Sequence, residues 1–154
     1  MNAAAETTKG QSEDIRPLSA GQFIAAPTPG ERARLRGARC RACGETFFPP
    51  RRYCAACTSG EMEDIELPSS GSVESFTIVH QQLPGSAMIP PYAIVNVRLG
   101  AGPVVQTVLR EGHEMLELDD DVALVVETVL NEDSHSYVAF IARRLAGGSK
   151  EEGK

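Results

Sequence analysis

Four residues in this chain have the types and the spacing to hold a transition metal: Cys40, Cys43, Cys54 and Cys57, which are all the cysteines it has. They form two C-x-x-C pairs within CRACGETFFPPRRYCAAC. Each pair places two sulfurs on one side of a tight turn, and two such turns offer the four thiolates of a tetrahedral site. Gly44, directly after the second sulfur, permits the left-handed backbone that turns amides toward sulfur. Zinc is the expected ion. Iron in a rubredoxin-like site would use the same ligand set, and a disulfide framework is disfavoured by spacing and by a reducing compartment. Four sulfurs leave no open coordination position, so the expected role is structural, with metal binding supplying the folding energy of a small ribbon.

Other chemistry is sparse. With four cysteines committed to metal, no thiol nucleophile remains, and neither a nucleophile elbow, a zinc-protease helix, a dinucleotide fingerprint nor a P-loop occurs. His113 and His135 fall in polar turns and read as surface residues. His80 ends a strand-like run and reads as packing or partner contact rather than proton transfer. The acidic run Glu117, Asp119, Asp120, Asp121 lacks calcium-loop spacing and reads as a solvated turn.

Charge separates one stretch from the rest. Seven arginines and one acid lie between Arg32 and Arg52, an excess of six positive charges in a chain whose net charge is −6. The remainder therefore carries −12, which argues against bulk attraction to nucleic acid or anionic membrane. Arg51 and Arg52 adjoin Phe47, Phe48 and Tyr53, a pattern that could pair phosphate with a guanidinium fork and stack an adenine. Ordinary solvation of a small basic ribbon is the competing reading.

These groups need elements to position them. The 154 residues, 42% hydrophobic and 23% charged, suit one domain or two small ones joined closely. No apolar run reaches a membrane span, and the N-terminus lacks the form of a signal peptide, so a cytoplasmic location is expected. Residues 1–35 read as an N-terminal extension. Its start is small and polar, and its later part is broken by Pro17, Pro27 and Pro29 and expected to lie across another surface. Residues 36–66 are the expected zinc ribbon, 67–146 the barrel and 147–154 a disordered tail. Strands are expected over 71–82, 92–99, 104–110, 122–130 and 136–145, rich in Val and Ile and bounded by turn residues. Within the second, Ala93, Val95, Val97 and Leu99 share one face. Five short strands, with the longest structured link between the third and fourth, predict a mainly β chain with a five-stranded OB-fold barrel after the ribbon; a plain five-stranded sandwich is the alternative, which counting strands does not exclude.

The motifs LRGARCRACG (35–44), FPPRRYCAAC (48–57), GSVESFTIVH (71–80) and PPYAIVNVRL (90–99) together resemble the zinc-ribbon/OB-fold acyl-CoA-associated family long labelled domain of unknown function thirty-five. The resemblance spans roughly residues 33–145. It implies a non-catalytic accessory subunit in a hetero-oligomer with a thiolase-type acyltransferase. A thiolase-like synthase or an enoyl-CoA hydratase is the second choice. It also implies CoA or acyl-CoA as a ligand shared with that partner, which supplies the catalytic residues. A single-stranded nucleic-acid-binding module is the rival class, disfavoured by the acidic remainder and the 5% aromatic content.

Overall fold

The computed structural model describes residues 14–132 and 134–146. The expected polar start of the chain and the expected disordered tail lie outside the described residues, apart from Asp14 and Ile15 at the inner end of the former. Among the described residues, nine strands build two sheets. In the smaller, Arg36–Cys40 (β2) lies between Thr46–Phe47 (β3) and Met62–Glu66 (β4), both antiparallel to it. The larger contains Ser70–Val79 (β5), Tyr92–Arg98 (β6), Val104–Leu109 (β7), Asp121–Glu132 (β8) and His135–Arg144 (β9). Its order, β9-β8-β5-β6-β7, is the Greek-key order of the OB-fold, extended outside β9 by Asp14–Pro17 (β1). All five expected strands are present.

Alternation explains the barrel. Ala93, Val95 and Val97 on one face of β6, and Leu99 just beyond it, are fully buried, while Arg98 is exposed. Each such Val or Leu gains about 1.5–3 kcal/mol on burial. The same core takes in Leu35 from just before the ribbon's first strand and Leu67 from just beyond its last, so ribbon and barrel bury one shared interior. Between β7 and β8 lies a single 3₁₀ turn, His113–Met115. β7 and β9 share no ladder among the described residues. The Thr107 hydroxyl donates to the Phe140 carbonyl at 2.7 Å across that seam, and the barrel stays unclosed there.

The proline-broken segment lies on the chain's own barrel. β1 runs parallel to β9, Asp14 opposite His135. Further on, the Gly30 and Ala33 amides donate to Val126 and Leu124 carbonyls of β8, both at 2.8 Å. Phe23 bridges to Leu35 and sets its ring edge-on to Phe140 at 6.4 Å. The prolines that forbid a helix leave backbone groups free for these pairings.

β5 serves two neighbours. Along most of its length it pairs with β6, but Ser70, Gly71 and Ser72 also pair with β8. A register shift between Val73 and Ser75 adds the bend this requires. At Gly71 the backbone approaches so closely that a Cβ would stand 2.1 Å from the Arg98 carbonyl oxygen. Replacing Gly71 by Ala is therefore expected to lower unfolding stability by roughly 3 kcal/mol, because the obstacle is backbone and cannot rotate away. Denaturant unfolding checks this; an unchanged midpoint would contradict the close approach.

Candidate metal centre and flanking grooves

The four sulfurs come together as their spacing predicts. Cys40 and Cys57 sulfurs are 3.6 Å apart, Cys43 and Cys54 sulfurs 3.5 Å, and all four lie within 4.8 Å of one another. A disulfide would need about 2.0 Å. A tetrahedral ion with bonds of about 2.3 Å sets its sulfurs about 3.8 Å apart, so the residues fit zinc.

Two matched knuckles produce this arrangement. In the first, the Cys40 amide donates to the Glu45 carbonyl and the Gly44 amide to the Cys40 carbonyl, both at 2.8 Å. In the second, the Cys54 amide donates to Ser59 and the Thr58 amide to Cys54, both at 2.9 Å. Gly44 has φ of 82° and Thr58, the corresponding residue, 63°. Reading glycine as the marker of the left-handed position found the first and missed the second. The usable signal was its place four residues after the leading cysteine.

The knuckle amides also serve the sulfurs. Those of Ala56 and Cys57 point at the Cys54 sulfur at 3.4 Å. The Cys43 and Ala42 amides help bring the Cys40 thiol down to about 7. The Glu45 amide acts in the same direction on Cys43, but the neighbouring thiols and burial prevail and push it up to about 12. Thiolates this crowded cannot all ionise without a cation among them. Cys40 and Cys54 are buried while Cys43 and Cys57 are exposed, so the centre sits at the ribbon's tip.

Arg32 donates to the Ser69 carbonyl at 3.3 Å, and the other six arginines of the island divide into two groups. Arg34 forms a two-pronged pair with Glu66 at 2.8 and 2.9 Å, Arg36 pairs with Asp64, and Arg39 and Arg41 share Glu63. The Arg39 hydrogen bond, followed by that of Arg41, holds the Glu63 carboxyl below its ordinary range. These exposed pairs join β2 and its flanks to β4, and salt screens them. Arg51 and Arg52 make no ion pair among the described residues. The Arg51 guanidinium lies over the Phe47 ring, 4.6 Å from its centre. Both arginines line a groove of about 560 Å³ with Ser19, Gln22, Pro49 and Pro50. Of the three aromatics named with them, Tyr53 is exposed, whereas Phe48 turns inward to meet Phe140 edge-on at 5.6 Å. Phe47 is thus the ring already beside a cation.

Another cavity, of about 580 Å³, is lined by Arg110, Glu127, Arg143 and Arg144. Its cations are already engaged, Arg110 and Arg143 by Glu127 and Arg144 by Asp120. The histidines differ from one another. His80 is exposed just past β5, and His135 pairs with Asp14 at 3.3 Å. His113 departs from the surface expectation: its side chain is only 10% exposed, because the 3₁₀ turn folds it back toward the Arg110 carbonyl at 3.3 Å. Asp120 accepts from the Glu117 amide at 2.9 Å, as a turn residue does.

Comparison with known proteins adds relatives to this geometry. Residues 29–63 match the family described as ChsH2, rubredoxin-like zinc ribbon domain, and residues 64–127 match ChsH2, C-terminal OB-fold domain. A DUF35 domain-containing scaffold protein of Methanothermobacter thermautotrophicus is 26% identical over 112 residues, covering 71% of this chain and 84% of that one. Benzoylsuccinyl-CoA thiolase subunit BbsA of Thauera aromatica is 28% identical over 124 residues, covering 80% and 85%. Among solved structures, one titled Ltp2-ChsH2(DUF35) aldolase superposes with a TM-score of 0.59 at 27% identity, covering 72% of this chain and 84% of that one.

Two measurements test the metal centre. Elemental analysis is expected to find one zinc per chain, with all four thiols protected until a chelator or acid releases it; metal-free protein with freely reacting thiols would overturn the assignment. Replacing Thr58 by Gly is expected to slow zinc loss to a chelator and to stabilise the ribbon by about 1 kcal/mol, since a β-branched residue is strained in the left-handed region.

Proposed function

Because the chain belongs to the ChsH2 family of paired zinc-ribbon and OB-fold domains, which also carries the DUF35 label, we propose that it is a non-catalytic accessory subunit of an acyl-CoA-processing complex, with a thiolase-type acyltransferase as partner. The observation that carries this reading is the similarity to a thiolase subunit over 80% of the chain, through ribbon and barrel alike. The site chemistry agrees with it. The four cysteines suit a closed structural zinc, which holds the ribbon and, between its two knuckles, the Pro49–Arg52 turn in place. His80, His113 and His135 stand apart from any nucleophile pairing among the described residues.

Within this role Arg51 and Arg52 bind the phosphates of CoA, and Phe47 or the exposed Tyr53 offers a ring for its adenine. A guanidinium without a carboxylate partner gives up no existing ion pair when phosphate arrives. The arginines facing Glu63, Asp64 and Glu66 would have to. The solved structure titled Ltp2-ChsH2(DUF35) aldolase favours a second reading, in which the partner is an aldolase. Both readings give this chain the same task.

Affinity purification of the tagged chain from its own cells, with identification of the bound subunit, tests the partner. A thiolase-type subunit is expected, and thiolytic turnover is expected only when it is present. Robust turnover by the repurified chain alone would refute the accessory role.

Joint replacement of Arg51 and Arg52 by Ala is expected to raise the KM for CoA thioesters about ten-fold or more, since a charge-assisted contact contributes about 1.5–3 kcal/mol. Short thioesters lacking the nucleotide should respond little, and Lys should rescue only in part. The variant complex must still elute at its normal size. Unchanged CoA affinity would return these arginines to ordinary surface charge, and dissociation would make them interface residues.

A further inference from the structure

The four sulfurs are not equivalent. In each knuckle the leading cysteine, Cys40 or Cys54, is buried, and the trailing one, Cys43 or Cys57, is exposed. Amide donors follow the same division. The Ala42 and Cys43 amides donate to the Cys40 sulfur, and those of Ala56 and Cys57 to the Cys54 sulfur. On the exposed side, the Glu45 amide donates to Cys43 and the Ser59 amide to Cys57. A sulfur that accepts more hydrogen bonds and meets less solvent is the poorer nucleophile. Cys43 and Cys57 are therefore the reactive positions.

Each exposed sulfur also has a buried one beside it from the opposite knuckle. Cys43 lies 3.5 Å from Cys54, and Cys57 lies 3.6 Å from Cys40. An accessible thiolate next to a resolving one is the arrangement of a reversible redox site. We propose that the ribbon tip is a peroxide-sensitive site, in which Cys43 and Cys57 are oxidised first and Cys54 and Cys40 close disulfides onto them, releasing zinc. In each pair the exposed thiolate attacks one oxygen of hydrogen peroxide; the O–O bond breaks, leaving a sulfenic acid and hydroxide. The buried thiolate then attacks that sulfur, forming the S–S bond and expelling the second oxygen as hydroxide. Two thiolates thus give two electrons to one peroxide, and two solvent protons turn both hydroxides into water. With both pairs closed, no thiolate is left to hold a cation. The new bonds tie knuckle to knuckle, whereas disulfides within each C-x-x-C would leave the knuckles separate. Both ends of the Glu45–Tyr53 segment stay joined, so reduction restores the ligand set in place. The inference rests on the zinc assignment and is independent of the partner's identity.

Treating the full-length chain, shown beforehand by elemental analysis to carry zinc, with hydrogen peroxide tests this, with release followed by a chromogenic chelator. About two equivalents of peroxide per chain are expected to release all of the zinc. Trypsin cuts after Arg41 and Arg52, so cross-knuckle disulfides are expected to join three peptides in one species: those bearing Cys40, Cys43 and the Cys54/Cys57 pair. With limiting peroxide and dimedone, which traps sulfenic acids, the label is expected on Cys43 or Cys57. A thiol reductant and added zinc should restore the metal content. Zinc-loaded chain that keeps its metal through about a ten-fold excess of peroxide overturns the proposal and leaves the zinc assignment standing. Chain that carries no zinc beforehand overturns both. Disulfides confined within each C-x-x-C pair, dimedone on Cys40 or Cys54, or oxidation that runs on to sulfinic acid would each overturn it as well.

Discussion

Phe140 holds the three parts of this molecule together. It projects from β9, and its ring meets Phe23 of the N-terminal strap and Phe48 of the ribbon, both edge-on. Aromatic pairs in this geometry contribute about 0.5–1.5 kcal/mol beyond the area they bury. Their larger effect is positional. Phe48 turned inward leaves Pro49, Pro50, Arg51 and Arg52 outside, along one groove, while Phe23 turned inward forms a wall of an apolar groove beside it. Both grooves therefore have a side anchored in the barrel core.

The metal centre acts at the opposite end of the ribbon. Its two knuckles repeat one backbone pattern, and the hydrogen bonds within each knuckle hold the sulfurs near tetrahedral separation. Such a site contributes folding energy and no open coordination position. The segment between the knuckles runs from Glu45 to Tyr53, so the same closure that joins the sulfurs returns Phe47 to β2 and fixes the arginine-bearing turn. Metal, aromatic anchor and cationic groove are thus mechanically continuous over a short length of chain.

Electrostatics narrows the surface further. Seven arginines concentrated in the ribbon look like one basic field, yet β4 returns carboxylates at Glu63, Asp64 and Glu66 to face four of them. Inter-strand pairing at 2.7 to 3.0 Å separations absorbs most of that field locally. What remains is Arg32, which donates to the Ser69 carbonyl, and the small cationic edge at Arg51 and Arg52. A chain with this distribution has little to offer a nucleic-acid backbone, whose binding depends on many phosphate contacts at once.

The sequence by itself determined whatever depends on short-range geometry. Cysteine spacing placed two sulfurs on each knuckle because a C-x-x-C turn has little conformational freedom, and alternation in 92–99 predicted the buried face because strand side chains have a period of two. Five strands and one long link pointed to the OB-fold but left a plain sandwich open, and the strand order decided between them. The partnerships of the site were decided only by tertiary structure. Arg34 meets Glu66 across 32 residues and Arg36 meets Asp64 across 28, so nothing local to either arginine distinguishes them from Arg51 and Arg52. Phe47 and Phe48 are adjacent and chemically identical, yet one carries a guanidinium and the other packs against Phe140. The strap's course over β9 and β8 was equally hidden, since its prolines state only which helix cannot form. In each case the deciding contact lies far away along the chain, and local pattern carries no information about distance in space.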